Sequence, residues 1–269
     1  MWNGVAGAWD AQADFVERHM ATATTALLEA AGIGVGSEVL EVACGPGGAG
    51  IAAAGRAGDT GRVVLADVAP GMVEVAARRS ADLPHVSTSV CDQAAIDAPD
   101  ASFDAVICRH GLMFAAEPEA AVREASRVLR PGGRYAALTW DSRTANPWLG
   151  LLLDAVGAQF GTTFPPPGVP GPFSLDDPAR LADALRGGGL EDVRVDRMST
   201  PMSAPSLQGW WDRVQQLAGP LALVLPSLEP EVRNAIHDRA LEYGRPVARA
   251  IENGVELPGS VLIGSGRRP

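Results

Sequence analysis

The sequence predicts an α/β protein: a doubly wound, mostly parallel sheet of seven strands, flanked by helices and covered by a helical lid. Three observations predict it. Short, β-branched apolar runs alternate with helical patterns from Glu38 to Trp140, as in a parallel sheet with right-handed crossovers. A glycine-rich segment, Gly45 to Gly50, joins the first apolar run to the first helical pattern, where open sheets of this kind bind ligands. Beyond Asp141 the alternation weakens into helical stretches and a proline-rich connector.

Taken in order, Ala11 to Ala31 carries Phe15, Met20, Leu27 and Leu28 among good helix formers and stops at Gly32, which predicts a leading helix. Glu38 to Ala43 reads as a buried strand, and Ala49 to Arg56 as the helix after the glycine loop. Arg62 to Asp67 is the second strand; Pro70 then opens a helix that runs to Arg79, because proline's fixed φ suits the first helical turn. Val86 to Asp92 and Phe103 to Cys108 are strands three and four. Pro118 opens the next helix, with Val122, Ala125, Val128 and Leu129 at helical spacing, and the turn Arg130-Pro131-Gly132-Gly133 ends it before strand five, Arg134 to Trp140. Pro147 to Phe160 is helical, Pro165-Pro166-Pro167 is a stiff connector, and Asp176 to Arg186 is a helix closed by Gly187, Gly188 and Gly189. Glu191 to Arg197 and Ser260 to Gly264 supply the last two strands, with mostly helical chain from Ser203 to Gly254 between them. We expect one domain over 1–269, its core about 32–141, 176–201 and 256–266, with lid and substrate-binding parts about 1–31, 142–175 and 203–254.

Composition narrows the function. The net charge is −10 and no basic run appears, which disfavours a nucleic-acid partner, since affinity for a polyanion rests on basic side chains. All 22 basic residues are arginine. The absence of lysine removes Schiff-base chemistry, the P-loop amine and a Tyr-Lys dehydrogenase pair. Cys44, Cys91 and Cys108 are too few and scattered for a disulfide framework or a zinc site. With no secretory signal pattern and no long uncharged apolar run, the expected setting is cytoplasmic, without membrane insertion; metal is not expected. The pattern does not separate a monomer from a homodimer.

The loop Gly45-Pro46-Gly47-Gly48-Ala49-Gly50 follows a strand and opens a helix, and Asp67 ends the next strand 22 residues after Gly45. Glycines there let a ligand approach backbone amides, and the acid suits a ribose diol. Glu41 stands just before the loop. A diphosphate would face this carboxylate with no basic residue in the loop to offset the repulsion. A sulfonium with an amino-acid tail fits better, the amides receiving its carboxylate.

Val39 to Gly48 resembles motif I of class I S-adenosylmethionine-dependent methyltransferases. Val63 to Met72 resembles their second motif and Cys91-Asp92-Gln93 the third, while Phe103 to Cys108 with Arg127 to Gly133 resembles the ubiquinone and menaquinone biosynthesis branch. One departure is Ala43, where many members have glycine. The resemblance implies a Rossmann-like fold, S-adenosyl-L-methionine as cofactor and S-adenosyl-L-homocysteine as product. It implies cofactor contacts from Glu41, Ala43, Cys44, Gly45 and Gly47 on the methionine side, Asp67 and Val68 at the ribose, Met72, Cys91, Asp92 and Gln93 around adenine, and Arg109 near the sulfonium.

Methyl transfer needs an acceptor held in line with the methyl group, and positioning with water exclusion supplies most of the acceleration. For a hydroxyl acceptor, His110 beyond strand four is the first candidate base and His19 in the leading helix the second. His85 and His237 are expected to be solvated. Trp9, Met113, Phe114, Trp140, Trp148 and Trp210 are expected to line the pocket, whose aromatic and thioether walls suit an aromatic or apolar small molecule of secondary metabolism. The alternatives are a cyclase or decarboxylase on the same fold, a nucleotide-dependent dehydrogenase, and a non-catalytic cofactor-binding protein.

Overall fold

The computed structural model describes residues 2–166 and 168–269; Pro167, the end of the expected stiff connector, lies outside the described residues. In chain order the elements begin with α1 (Ala6–Ala30), β1 (Glu38–Val42), α2 (Gly48–Ala57), β2 (Arg62–Asp67), α3 (Pro70–Arg79), β3 (Val86–Val90) and β4 (Phe103–Arg109). They continue with α4 (Pro118–Val128), β5 (Leu129–Trp140), α5 (Pro147–Phe160), α6 (Pro178–Gly187), β6 (Glu191–Ser199) and β7 (Met202–Ala204). The rest are α7 (Leu207–Leu217), α8 (Leu221–Val224), α9 (Pro230–Gly244), β8 (Arg249–Ile251), β9 (Gly254–Leu257) and β10 (Ser260–Arg267).

Seven strands form one sheet in the order β3-β2-β1-β4-β5-β10-β6. β1 runs parallel to β2 and β4, and β10 runs antiparallel to both β5 and β6. Val39, Leu40, Val42, Val63, Leu65, Val106 and Ile107 are all buried, the near-continuous apolar pattern of strands covered on both faces. The direction of winding reverses between β1 and β4, so a crevice opens at their carboxyl ends. α1 packs along the sheet from this end, where Glu17 meets Arg109, to Arg134 of β5, whose Nε donates to the Ala30 carbonyl; its buried Ala13, Met20, Ala23, Leu27 and Leu28 hold it to the core.

Several boundaries differ from the sequence reading for local reasons. β5 begins at Leu129, with the expected turn inside it: Phe103 pairs with Leu129, whereas Ala105 already pairs with Arg134. The four residues between bulge out around Gly132, at φ +83, and are held by bonds from Gly132 N–H to the Arg268 carbonyl (3.0 Å) and from Arg268 N–H to the Gly133 carbonyl (2.8 Å). α6 starts at Pro178 because Asp177 caps it, its Oδ1 accepting from the Ala179 and Arg180 amides. The stretch expected to be mostly helical also yields a second sheet, β7-β9-β8. Its strands are three or four residues long, too short to show a period.

Among the described residues, no helix is long and apolar enough to cross a membrane, and no group of three or more His, Cys, Asp or Glu could hold a metal ion. All three cysteines are free thiols.

Candidate functional site

The glycine loop leaves β1 through two residues with left-handed backbone, Ala43 at φ +52 and Gly45 at φ +53, and Gly47 follows at φ +85 as the residue before α2. For the two glycines this geometry carries no side-chain penalty. At Ala43 it does, and the Ala43 methyl also fills the space a side chain at Gly111 would need. The loop therefore shows why glycine is favoured at position 43: alanine is tolerated there as a strained residue.

Asp67 ties the loop to the second strand. Its Oδ2 accepts from Gly45 N–H and its Oδ1 from Ala69 N–H, both at 2.9 Å. Each oxygen retains a further lone pair. The side chain is buried, and desolvation raises its pKa against the pull of the two amides. Beside it, Val68 is 58% exposed, an unusual position for an apolar side chain and one that leaves it available to an apolar ligand face.

Glu41 corrects the charge argument made from sequence. Its carboxylate is packed between β1 and the first turn of α2, where Oε2 accepts from Gly50 N–H at 2.7 Å. Burial pushes its pKa up to about 8, against the opposing influence of Arg109 and the Gly50 bond. In this state it is mostly neutral at pH 7, so it does not present the full negative charge that the sequence reading required of it. A side chain at Gly50 would collide with both Glu41 and Leu65, so glycine is needed there for the strand and helix to approach.

Sequence reasoning missed Glu17. From α1 it takes both terminal nitrogens of Arg109, at 2.6 and 2.9 Å, and Arg109 also donates to Thr24 Oγ1 at 3.0 Å. The Glu17 carboxylate lies directly against Gly48, where any side chain would collide with it. Only its position on the leading helix could have marked it, because spacing within the motifs says nothing about an acid so distant in sequence. Arg109, which the resemblance puts near the sulfonium, is thus tied to α1 and neutralised. α1 is further fixed over α3 by Asp10 with Arg78 at 2.6 Å, and the turn that leads into α1 by Asn3 Oδ1, which accepts from Gly71 N–H at 2.7 Å.

The residues expected around adenine divide. Met72 is buried in a small cluster with Val5, Ala6, Ala69 and Val75, flanked by Trp2 and Trp9. Gln93 donates to the Gly111 carbonyl at 3.3 Å, linking the segment after β3 to the end of β4. Asp92 is exposed and its Oδ1 caps Ala94 N–H at 2.9 Å. Cys91 aims its thiol at the Asp92 and Ala95 carbonyls. Burial raises the pKa of Cys44 and Cys91 and pushes Cys108 up to about 12, so none is a thiolate nucleophile at neutral pH.

His110 sits at φ +58 just past β4, its ring stacked on Trp140 with centroids 3.8 Å apart. Both ring nitrogens are buried without a partner, as is His19 Nε2. Desolvation, then the charges of Arg109 and His19, hold His110 well below the ordinary histidine range; His19 is lowered by desolvation and by Arg213. Both are neutral imidazoles at pH 7. Trp9 leaves its Nε1 without a partner, and Trp2 bridges the edges of Trp9 and Phe114 at 6.5 and 4.9 Å.

Four of the residues expected to line the pocket, Met113, Trp140, Trp148 and Trp210, are buried in the main core. Met113 is 1% exposed in the main core. Trp148 donates its indole N–H to Asn146 Oδ1 at 3.2 Å, and Trp210 donates to the Trp148 carbonyl at 2.8 Å, so these two pin α5 to α7. Trp148 also meets Trp140 edge-on at 5.0 Å. Both other histidines are half-buried: His85 Nε2 lies 3.3 Å from the Ala54 carbonyl, and His237 makes solvent-exposed bonds to Asp238 and Gln208 and meets Trp211 edge-on.

Comparisons with known proteins agree with this geometry. Residues 39–133 match the family described as "Methyltransferase domain". The ubiquinone/menaquinone biosynthesis C-methyltransferase UbiE of Hydrogenovibrio crunogenus is 36% identical over 130 residues, 47% of this chain and 51% of that protein. Its namesake in Ectopseudomonas mendocina is 35% identical over 136 residues, 49% and 53% of the two chains. The chain spans about half the length of the curated relatives it matches. The fold is shared with the 4+2 cyclase SpnF (TM-score 0.60, 20% identity, 92% of this chain and 81% of that one). It is also shared with geranyl diphosphate C-methyltransferase from Streptomyces coelicolor (TM-score 0.53, 16% identity, 93% and 79%). Residues 39–133 are thus similar in sequence to the methyltransferase domain family and to the ubiquinone/menaquinone C-methyltransferases, and the sheet order is the fold of the solved methyltransferase structures.

Proposed function

We propose that this chain transfers a methyl group from S-adenosylmethionine to a hydroxyl of an aromatic or apolar small molecule. The carrying observation is His110: a neutral imidazole stacked on Trp140 at the carboxyl end of β4, with both nitrogens unpartnered. The same reading takes residues 1–269 as one methyltransferase domain.

The donor set fits the cofactor. Gly45 and Gly47 hold backbone conformations that keep the loop free of side chains, and the start of α2 offers amides to a carboxylate. Asp67 is assigned to the ribose diol, Val68 and Met72 to the faces of the adenine, and Asp92 and Gln93 to its polar edge. Glu41, Ala43, Cys44 and Arg109 flank the methionine part, and Cys91 packs beside the ring. When bound, S-adenosylmethionine supplies a methyl group made electrophilic by its sulfonium. The chain's own part is to exclude water beneath α1, to hold the acceptor ring against Trp140 and Phe114, and to accept the hydroxyl proton on an imidazole nitrogen of His110. His19 is the second candidate for that proton.

The relatives named as C-methyltransferases support a second outcome from the same site. Removing the proton of a phenol enriches the ring carbons beside and opposite the oxygen as well as the oxygen itself, so one base serves either acceptor atom. Product analysis by mass spectrometry and carbon NMR after reaction with methyl-labelled cofactor separates the two. Calorimetry with S-adenosylhomocysteine tests the whole reading: Asp67→Ala is expected to weaken binding more than tenfold, about 1.4 kcal/mol. No heat from the wild-type protein, or unchanged affinity in the variant, overturns the cofactor site or the ribose assignment respectively.

A further inference from the structure

The lid contributes an arginine that the proposed reaction does not use. Arg213 on α7 lies with its guanidinium carbon 3.9 Å from the centroid of the Phe15 ring, and Phe15 stacks parallel to His19, 5.7 Å away at an interplanar angle of 5°. A bond from Gln12 to Gln216, 2.7 Å long, ties α1 to α7 at this level. Arg213 is half-buried, its Nε is enclosed without a partner, and no acid among the described residues pairs with it. The other arginine of the site, Arg109, is already neutralised by Glu17. Through Phe15 the Arg213 guanidinium adjoins His19, whose charge in turn bears on His110; three ring nitrogens of the two histidines are enclosed without a partner, and Trp140 stacks on His110.

Resting on the methyl-transfer reading, we propose that Arg213, with His19 and His110, forms a recess for a carboxylate, and that the methyl acceptor is an aromatic acid. A guanidinium matches the two oxygens of a carboxylate with parallel N–H donors, and its flat face is retained on Phe15. The neutral imidazoles can each turn an N–H toward the same group. An acceptor without hydrogen-bonding oxygens would leave the enclosed Arg213 Nε and these ring nitrogens unbonded, which is costly away from water. For a chain of net charge −10, a cation without an acid partner beside the histidines offsets the repulsion an approaching anion meets.

The test titrates a set of hydroxybenzoates and the matching hydroxybenzamides into protein saturated with S-adenosylhomocysteine, by calorimetry. At least one acid is expected to bind tenfold or more tightly than its amide. Arg213→Gln should remove that difference and Arg213→Lys restore part of it, with the affinity for S-adenosylhomocysteine equal in all three proteins. Equal binding of every acid and its amide, no acid binding while S-adenosylhomocysteine binds normally, or a preference that survives Arg213→Gln overturns the proposal. Failure of S-adenosylhomocysteine to bind strikes the methyl-transfer reading instead, and the same acid and amide titrations without it then decide the recess.

Discussion

Glu17 and Arg109 form a two-pronged ion pair between α1 and the end of β4, with the Glu17 carboxylate resting on Gly48 of the glycine loop. The Arg109 side chain is 8% exposed and that of Glu17 is 28%. Removing one partner strands the other in a poorly hydrated place. Glu17→Ala is expected to cost about 3 kcal/mol of stability, and Glu17→Ala with Arg109→Met less than the sum of the two single changes. Urea unfolding of the four proteins measures the coupling; additive losses would show that the pair contributes nothing jointly.

Glu41 makes stability depend on pH in a stated direction. Its carboxyl is raised from 4.5 to about 8 in the folded chain, so between those values the unfolded chain ionises while the folded one stays protonated. Stability from this group is full below pH 4.5 and falls as pH rises to about 8, by at most about 1.4 kcal/mol per pH unit. Glu41→Gln keeps an acceptor for Gly50 and cannot ionise. Its stability relative to wild type is expected to improve from pH 5 to pH 8.5; a constant difference would show that Glu41 is already ionised when folded.

Ala43 and Gly111 are expected to be coupled. A methyl at Gly111 would meet the Ala43 methyl and the Cys108 thiol, so Gly111→Ala should lose about 1–3 kcal/mol by overpacking. Ala43→Gly relieves the left-handed strain, a gain partly cancelled by unfolded-chain entropy. Combined, the second change should recover part of the first loss. Thermal melts of the single and double variants check this, and no recovery would mean that the Cys108 contact dominates.

For His110 the expected result is a large fall in turnover on substitution by alanine, with cofactor affinity nearly unchanged. Because its pKa lies well below the ordinary histidine value, the acidic limb of kcat/KM should fall off below pH 6.5 rather than near it. A wild-type rate in the alanine variant removes the imidazole from the mechanism.

Much of the sheet was readable because its signals are local. β2 and α3 have the bounds the sequence predicted, since Pro70 and the apolar run Val63 to Ala66 act within a few residues. The bulge at Gly132 was not readable, because it is held by Arg268 from the far end of the chain. Within the site, the loop glycines and Asp67 came from spacing. Glu17, Arg213 and the burial of Glu41 depend on how α1 and α7 lie over the sheet, and no periodicity encodes that. Trp148 and Trp210 show the same limit: an aromatic residue reads alike whether it walls a pocket or pins two helices.

β10 lies between β5 and β6 and runs opposite to both, though both partners precede it by a long stretch of chain. Until that strand arrives, β5 has a bare edge and β6 has no neighbour to bond. Closure of the sheet must therefore be a late, non-local event in folding. While it is awaited, the exposed strand edge makes the nascent molecule prone to association with its own kind.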